Sequence, residues 1–296
     1  MFQIPELPSG DAPILVVIGG PTAVGKTNFA IECAQKWNAE IISADSRQFY
    51  REMSIGTAKP NEQELSTVKH HFIDNKSIFE NYSSGRFATD VLAFLDDYFT
   101  HHRVAVMCGG SGLFIRAVCD GMDEFPEVPP ATREAINELY AQEGITVLQE
   151  ELAIADPVYY AEADLQNPAR LIRALEVCRA SGLPYSSFRR KEKPARPFQI
   201  LKFALDMPRE TLYERIDKRV LMMLEAGLLE EAQSLYPNRH LHALQTVGYS
   251  ELFDYFDEKI PYEEAVRLIQ QNSRHYAKRQ LTWFRRESDI NWLLPT

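Results

Sequence analysis

Short apolar runs at residues 14–18, 40–44 and 104–108 alternate with longer stretches whose apolar positions recur at helical spacing. That alternation predicts a parallel sheet covered by helices, so the N-terminal third reads as a βαβ-type nucleotide-fold core. After Gly121 the pattern changes. Pro126, Pro129 and Pro130 interrupt the chain, and helical segments follow around residues 132–142, 147–155 and 169–180. This stretch is expected to be an inserted helical module that ends near residues 191–197, where Pro194 and Pro197 bracket basic side chains. Residues 198–205 look like one more strand returning to the sheet. A helix is expected over 209–235, with Leu212, Ile216, Val220 and Leu224 at i, i+4 spacing for burial, and with Arg215 and Arg219 four apart on another face. The rest reads as helical, interrupted by a turn at 245–249, with no repeat or low-complexity tract. The expected division is therefore residues 1–120 with 198–296 as a core, and 121–197 as an inserted helical domain.

The first apolar run feeds directly into Gly20, Pro21, Thr22, Ala23, Val24, Gly25, Lys26 and Thr27, a Gly-x4-Gly-Lys-Thr phosphate loop, and a helical pattern follows from near Asn28. A strand entering a tight glycine turn aims successive backbone N–H groups at one point, and the next helix N-terminus adds partial positive charge there. Lys26 is expected to reach terminal phosphate oxygens, and the Thr27 hydroxyl to ligate a Mg2+ that bridges two phosphates. The loop does not specify which diphosphate it holds. Two further polar turns, Ser43-Ala44-Asp45-Ser46-Arg47-Gln48 and Gly109-Gly110-Ser111-Gly112, fall at the carboxyl ends of predicted strands. Ligands bind at that edge of an open parallel sheet, so Asp45, Gln48 and Ser111 should converge on the crevice of the phosphate loop.

Composition narrows the setting. At 296 residues and 45% hydrophobic, the chain can bury a large core and carry a second module. It has no apolar stretch of membrane-spanning length and no basic leader before its first apolar run, so a cytoplasmic location and no membrane partner are expected. Cys33, Cys108, Cys119 and Cys178 lack Cys-x-x-Cys spacing and read as buried reduced thiols, which leaves zinc unsupported. The net charge of -10 speaks against a nucleic-acid partner until local patches are considered. Residues 266–286 carry no acid and six bases, interleaved with Tyr276, Trp283 and Phe284, and five of the eight residues 189–196 are basic. Two such runs in an acidic protein favour a polyanion.

Six segments, in order, resemble the motifs of the tRNA dimethylallyltransferases. They are the phosphate loop, Asp45-Ser-Arg-Gln48, Ile55-Gly-Thr-Ala-Lys-Pro60, Arg173-Ala-Leu-Glu-Val177, Val247-Gly-Tyr249 and Ala277-Lys-Arg-Gln-Leu-Thr-Trp-Phe-Arg285. The resemblance extends from about residue 14 to residue 292. It implies a P-loop NTPase-like α/β fold with an all-helical tRNA-binding insertion. It also implies transfer of a dimethylallyl group from dimethylallyl diphosphate to N6 of adenosine 37, beside the anticodon, in tRNAs that read codons beginning with U. The phosphate loop would then cradle a diphosphate leaving group with Mg2+. Arg219 matches the arginine facing that group, Arg215 less well.

Asp45 matches the general base, Gln48 would help hold it, and Ser111 stands where the family usually has threonine. With Asp45, Ser46, Arg47, Gln48 and Ser111 near the target base, the resemblance makes Arg133, Asn167, Arg170, Arg173, Lys278, Arg279 and Arg285 the contacts to a tRNA anticodon stem-loop. A departure occurs before Arg170, where Asp164-Leu165-Gln166-Asn167 replaces the family's His-Pro-Asn-Asp. His70 and His71 match a family pair and read as structural. Eukaryotic members often carry a zinc finger beyond the catalytic region, so a chain ending at Thr296 suggests a bacterial-type enzyme, expected to act as a monomer. The competing readings are an adenine-nucleotide isopentenyltransferase, a phosphate-loop small-molecule kinase and a non-catalytic RNA-binding module.

Overall fold

A computed structural model describes residues 2–189 and 192–295. Arg190 and Lys191 of the 189–196 basic run lie outside the described residues. The chain opens with β1 (Ile14–Gly19), α1 (Lys26–Trp37), β2 (Ile41–Ser43), α2 (Glu62–Thr67), β3 (His70–His71), α3 (Ser84–Tyr98), β4 (Val104–Cys108) and α4 (Gly112–Asp120). It continues with α5 (Pro130–Glu143), α6 (Ile145–Ala155), α7 (Pro157–Glu162) and α8 (Pro168–Ser181). It closes with β5 (Gln199–Leu205), α9 (Arg209–Glu225), α10 (Leu228–Leu235), α11 (Tyr249–Phe256), α12 (Tyr262–Phe284) and β6 (Ile290–Leu293).

The strands form one sheet in the order β3-β2-β4-β1-β5-β6, and every pair is parallel. Central β1 is buried along its whole length, which is why its sequence is an unbroken apolar run and not an alternating one. Ile18 lies opposite Cys108 on one side and Phe203 on the other, so the three strands end together and present their following turns at one edge. The chain divides into two compact units, one of residues up to Asp120 with those from Ala195 onward, the other Gly121–Pro194.

The second unit packs its helices around Ile136, Leu148, Leu152, Leu171, Ala174 and Leu175, all inaccessible to solvent. Its buried carboxylate, Glu176, accepts hydrogen bonds from Arg133 Nε at 2.5 Å and Arg173 Nη1 at 3.2 Å. Asp156 caps α7 through Tyr159 N–H at 2.9 Å and also accepts from Ser186 N–H at 2.6 Å.

The structure corrects several expected elements. The helix over 209–235 is two helices, because Gly227 adopts φ 103°, outside the helical basin, and starts α10 in a new direction. Leu212, Ile216 and Val220 are buried as the spacing requires, whereas Leu224, next to that break, is half-buried. The short edge strands β3 and β6 and the helix α7 were not anticipated, since two to six residues carry too little periodicity to be read. His71 in β3 is held by Glu40 Oε2 at 2.5 Å, and no cluster of His, Cys, Asp or Glu among the described residues could hold a metal alone. All four cysteines are free thiols. No helix among the described residues is long and apolar enough to cross a membrane.

Candidate active site

The turns after β1, β2 and β4 meet at the carboxyl edge of the sheet. After β1 the chain wraps through the phosphate loop, where Ala23 takes φ 64° and Gly25 φ 102° before α1 begins at Lys26. Strain at a non-glycine residue in such a loop is characteristic of backbone shaped to hold a ligand. The turns after β2 and β4 touch directly. Ala44 N–H donates to Cys108 O at 2.8 Å, and a Cβ on Gly109 would lie 2.1 Å from Ala44 O, so only glycine permits this approach.

Lys26 folds over the loop and donates from Nζ to Pro21 O at 2.7 Å. Burial pushes its ammonium down to about 8, with the nearby Arg219 charge acting in the same direction. Arg219, one turn beyond Arg215 on α9, donates from Nη2 to Thr22 Oγ1 at 2.7 Å, and burial lowers its pKa too. Among the described residues, Arg215 hydrogen-bonds to Val24 O alone, at 3.5 Å. Two desolvated cations thus face one loop of backbone donors, an arrangement complementary to a polyanion. The Thr27 hydroxyl has no hydrogen-bond partner among the described residues and stands at the second position of α1. It fits a hard divalent cation that takes its remaining ligands from phosphate oxygens and water.

On the other side, Asp45 Oδ1 accepts from Arg47 N–H at 3.0 Å, and Ser111 Oγ accepts from Ser46 N–H at 2.9 Å. Tyr276 from α12 completes this corner. Its phenol is hydrogen-bonded to Ser111, and burial, reinforced by the Asp45 charge, pushes it up to about 12. Asp45, Arg47, Thr22, Arg219 and Tyr276 line one cavity, so the base expected from the turn shares a chamber with Arg219 and Thr22 of the phosphate-loop end. Gln48 is engaged within the protein at both ends of its amide. Ser43 Oγ donates to its Oε1 at 3.0 Å, and its Nε2 donates to Thr57 O and Ala58 O at 3.2 and 3.1 Å. It therefore ties β2 to the 55–60 segment that also walls the cavity.

Two residues here escaped sequence reasoning. Gln280 on α12 accepts from Thr22 N–H at 2.8 Å and donates to Gly110 O at 3.0 Å, bridging the phosphate loop to the glycine turn. Glu231 on α10 accepts from the backbone N–H groups of Ser54, Ile55 and Gly56 at 2.9, 2.8 and 3.0 Å, and from the Tyr249 hydroxyl at 2.6 Å. For Gln280 a signal existed, since it interrupts the buried stripe of Ala277 and Phe284 with a polar side chain.

The residues expected to contact RNA are distributed over both units. In the core, Lys278 and Arg279 line an outer groove of α12 with His275, Trp283 and Arg286, while Arg285 Nη2 pairs with Asp206 Oδ2 at 3.1 Å. In the inserted unit, Arg170 is exposed, Asn167 caps α8 by accepting from Arg170 N–H at 3.3 Å, and Arg133 and Arg173 are paired with Glu176.

The IPP transferase family profile matches residues 48–287. The tRNA dimethylallyltransferase of Christiangramia forsetii is 50% identical over 278 residues, covering 94% of this chain and 92% of the relative. That of Cytophaga hutchinsonii is 47% identical over 281 residues, covering 95% and 92%. Among solved structures, the tRNA isopentenylpyrophosphate transferase of Bacillus halodurans superposes with TM-score 0.69 at 36% identity, over 95% of this chain and 89% of the other. A eukaryotic dimethylallyltransferase captured acting on tRNA gives TM-score 0.82 at 25% identity, over 96% and 74%. The fold is the P-loop NTPase-like α/β fold of these enzymes, and the chain belongs to the IPP transferase family, the tRNA dimethylallyltransferases.

Proposed function

We propose that this protein transfers the dimethylallyl group of dimethylallyl diphosphate to N6 of adenosine 37 in tRNAs reading codons that begin with U, with Mg2+ as cofactor. The observation that carries this reading is the single cavity in which Asp45 faces Thr22 and Arg219 of the diphosphate end. A kinase can also place a carboxylate base beside its phosphate loop, so the family match is what favours prenyl transfer over phosphoryl transfer, and a binding module needs neither group.

The donor's allylic C–O bond breaks with its electron pair leaving on the diphosphate, and a bond forms between that carbon and adenine N6. The proton lost from N6 passes to the Asp45 carboxylate. Proton removal is required because the N6 lone pair is delocalised into the ring. Lys26, Arg219 and the N–H groups of residues 23–27 disperse the charge that grows on the leaving group. Thr27 would hold a Mg2+ ion, which would supply further charge neutralisation there. Tyr276 lines the cavity with Asp45, and Ser111 steadies the turn that carries Asp45 by accepting from Ser46 N–H. The adenosine must leave its stack to reach Asp45. For that grip on the anticodon stem-loop we assign Lys278 and Arg279 in the α12 groove, with Arg170 and neighbouring cations of the inserted unit.

The test is transfer of radiolabelled dimethylallyl diphosphate, with Mg2+, into unmodified tRNA carrying three adenosines from position 36, with AMP and ATP as competing acceptors. Label should enter tRNA alone and fall about 10²- to 10⁴-fold with Asp45→Ala, the contribution typical of a positioned base. Label in nucleotide only, or full activity without Asp45, sinks the reading.

A further inference from the structure

Beside Arg219 the cavity is walled by the apolar side chains of Ile216, Val220, Met223 and Leu228. α9 turns Arg219 and Met223 toward it, and the direction is set because Arg219 is bonded to Thr22 and so marks the diphosphate end. Met223 lies four residues further along the helix, about 6 Å of rise, which is the reach of one isoprene unit. Leu228, the first residue of α10 and fully buried, lines the same chamber just beyond the break at Gly227. The whole cavity has a volume of about 100 Å³. That is less than the roughly 150 Å³ of an apolar cavity that takes up benzene, and the same cavity has to admit the adenine beside Asp45 and the diphosphate end at Thr22, so the stretch bounded by Met223 and Leu228 is short for an apolar tail.

The facing wall, Gly56 and Thr57, cannot swing away to make room. The N–H groups of residues 54, 55 and 56 all end on the Glu231 carboxylate, which also takes the Tyr249 hydroxyl. The Tyr249 ring, itself fully buried, lies so close that a Cβ on Gly56 would be 2.6 Å from it.

We propose that Met223 and Leu228 limit the donor to a single isoprene unit, and that the Glu231–Tyr249 clamp makes this limit rigid. The proposal rests on the prenyl-transfer reading above and adds which residues choose the donor. Its test compares dimethylallyl and geranyl diphosphate, both as transfer donors to a tRNA anticodon stem-loop and as ligands titrated calorimetrically without acceptor. The wild-type protein should prefer the five-carbon donor by at least about a hundredfold. Met223→Ala should raise the geranyl-to-dimethylallyl ratio of kcat/KM, and of affinity, at least tenfold, while five-carbon transfer weakens as packing is lost. Leu228→Val, a smaller excision in a buried position, should shift the ratio in the same direction by less, and Glu231→Gln should loosen it too.

Unchanged ratios in folded Met223→Ala and Leu228→Val proteins overturn the proposal, as does a wild-type protein that accepts both donors equally. The binding ratio decides the matter even where a variant no longer turns over. A wild-type protein that transfers neither group overturns the underlying prenyl-transfer reading, which is a different result from selective five-carbon transfer with an unmoved ratio.

Discussion

At the phosphate loop, Lys26 and Arg219 have no carboxylate within salt-bridge distance among the described residues, although burial disfavours the charge on both. In the inserted unit, Arg133 and Arg173 converge on the buried Glu176, Arg179 grips Glu151 at 2.5 Å, and Arg189 pairs with Glu162. The residue types are alike and their situations opposite. A desolvated cation without a counter-ion is held at a cost that a bound anion would relieve, whereas a cation already paired contributes to its own unit. Cations in the first state therefore mark where charge must arrive. Those in the second need a further reason, such as an exposed guanidinium edge, to be counted toward RNA binding.

The sharpest way to break that contrast is to remove one cation from each region. Arg219→Gln should lower kcat about 10²- to 10³-fold, the usual loss for one preorganised donor to a developing anion. Its melting temperature should hold or rise, because an unpaired charge leaves a desolvated site. A kcat within fivefold of wild type would remove Arg219 from the diphosphate site. Arg133→Ala should do the reverse. About 2 kcal/mol of unfolding free energy should be lost, since Glu176 is 1% exposed and keeps only Arg173. Donor affinity should stay at its wild-type value, and an unmoved urea midpoint would contradict the structural role.

Smaller effects refine the loop itself. Gln280→Leu leaves Thr22 N–H and Gly110 O without their partner, and should raise the donor KM about tenfold, the worth of one to two hydrogen bonds. Kinetics with an unchanged KM would reduce Gln280 to a packing residue. The pH dependence is expected to be the mildest. Burial has lowered Lys26 from 10.5 to about 8, so its ammonium is present below that pH and is lost above it. Donor affinity should therefore fall severalfold as pH rises through about 8, with the inflexion displaced upward once diphosphate is bound. Titration of dimethylallyl diphosphate binding between about pH 7 and 9.5 checks this. The slope should vanish in Lys26→Arg, whose charge does not titrate in this range.

What the sequence made legible was whatever local rules decide. The strand, glycine turn and helix of the phosphate loop are contiguous, so period, turn chemistry and helix polarity all act within residues 14–37. Asp45 and Ser111 could be placed at one edge because parallel strands must end at the same side of the sheet, and the register of β1, β2 and β4 bears this out. Glycine-driven breaks such as Gly227 were hidden, since a helical stripe continues across them in the sequence.

Other features were decided only when distant segments met. Gln280 binds Thr22 across 258 residues, Glu231 binds Ser54 across 177, and Tyr276 joins Ser111 from the C-terminal helix. A polar side chain on a buried helix face announces that it needs a partner, because an unsatisfied buried group is costly. It does not announce which partner. The sequence by itself determined the chemistry available at the sheet edge, through short-range periodicity and turn geometry. Tertiary structure alone decided which cations stay unpaired, which carboxylate clamps the cavity wall and which apolar side chains wall the cavity beside Arg219, because those depend on the packing of α9, α10 and α12 against strands far away in the chain.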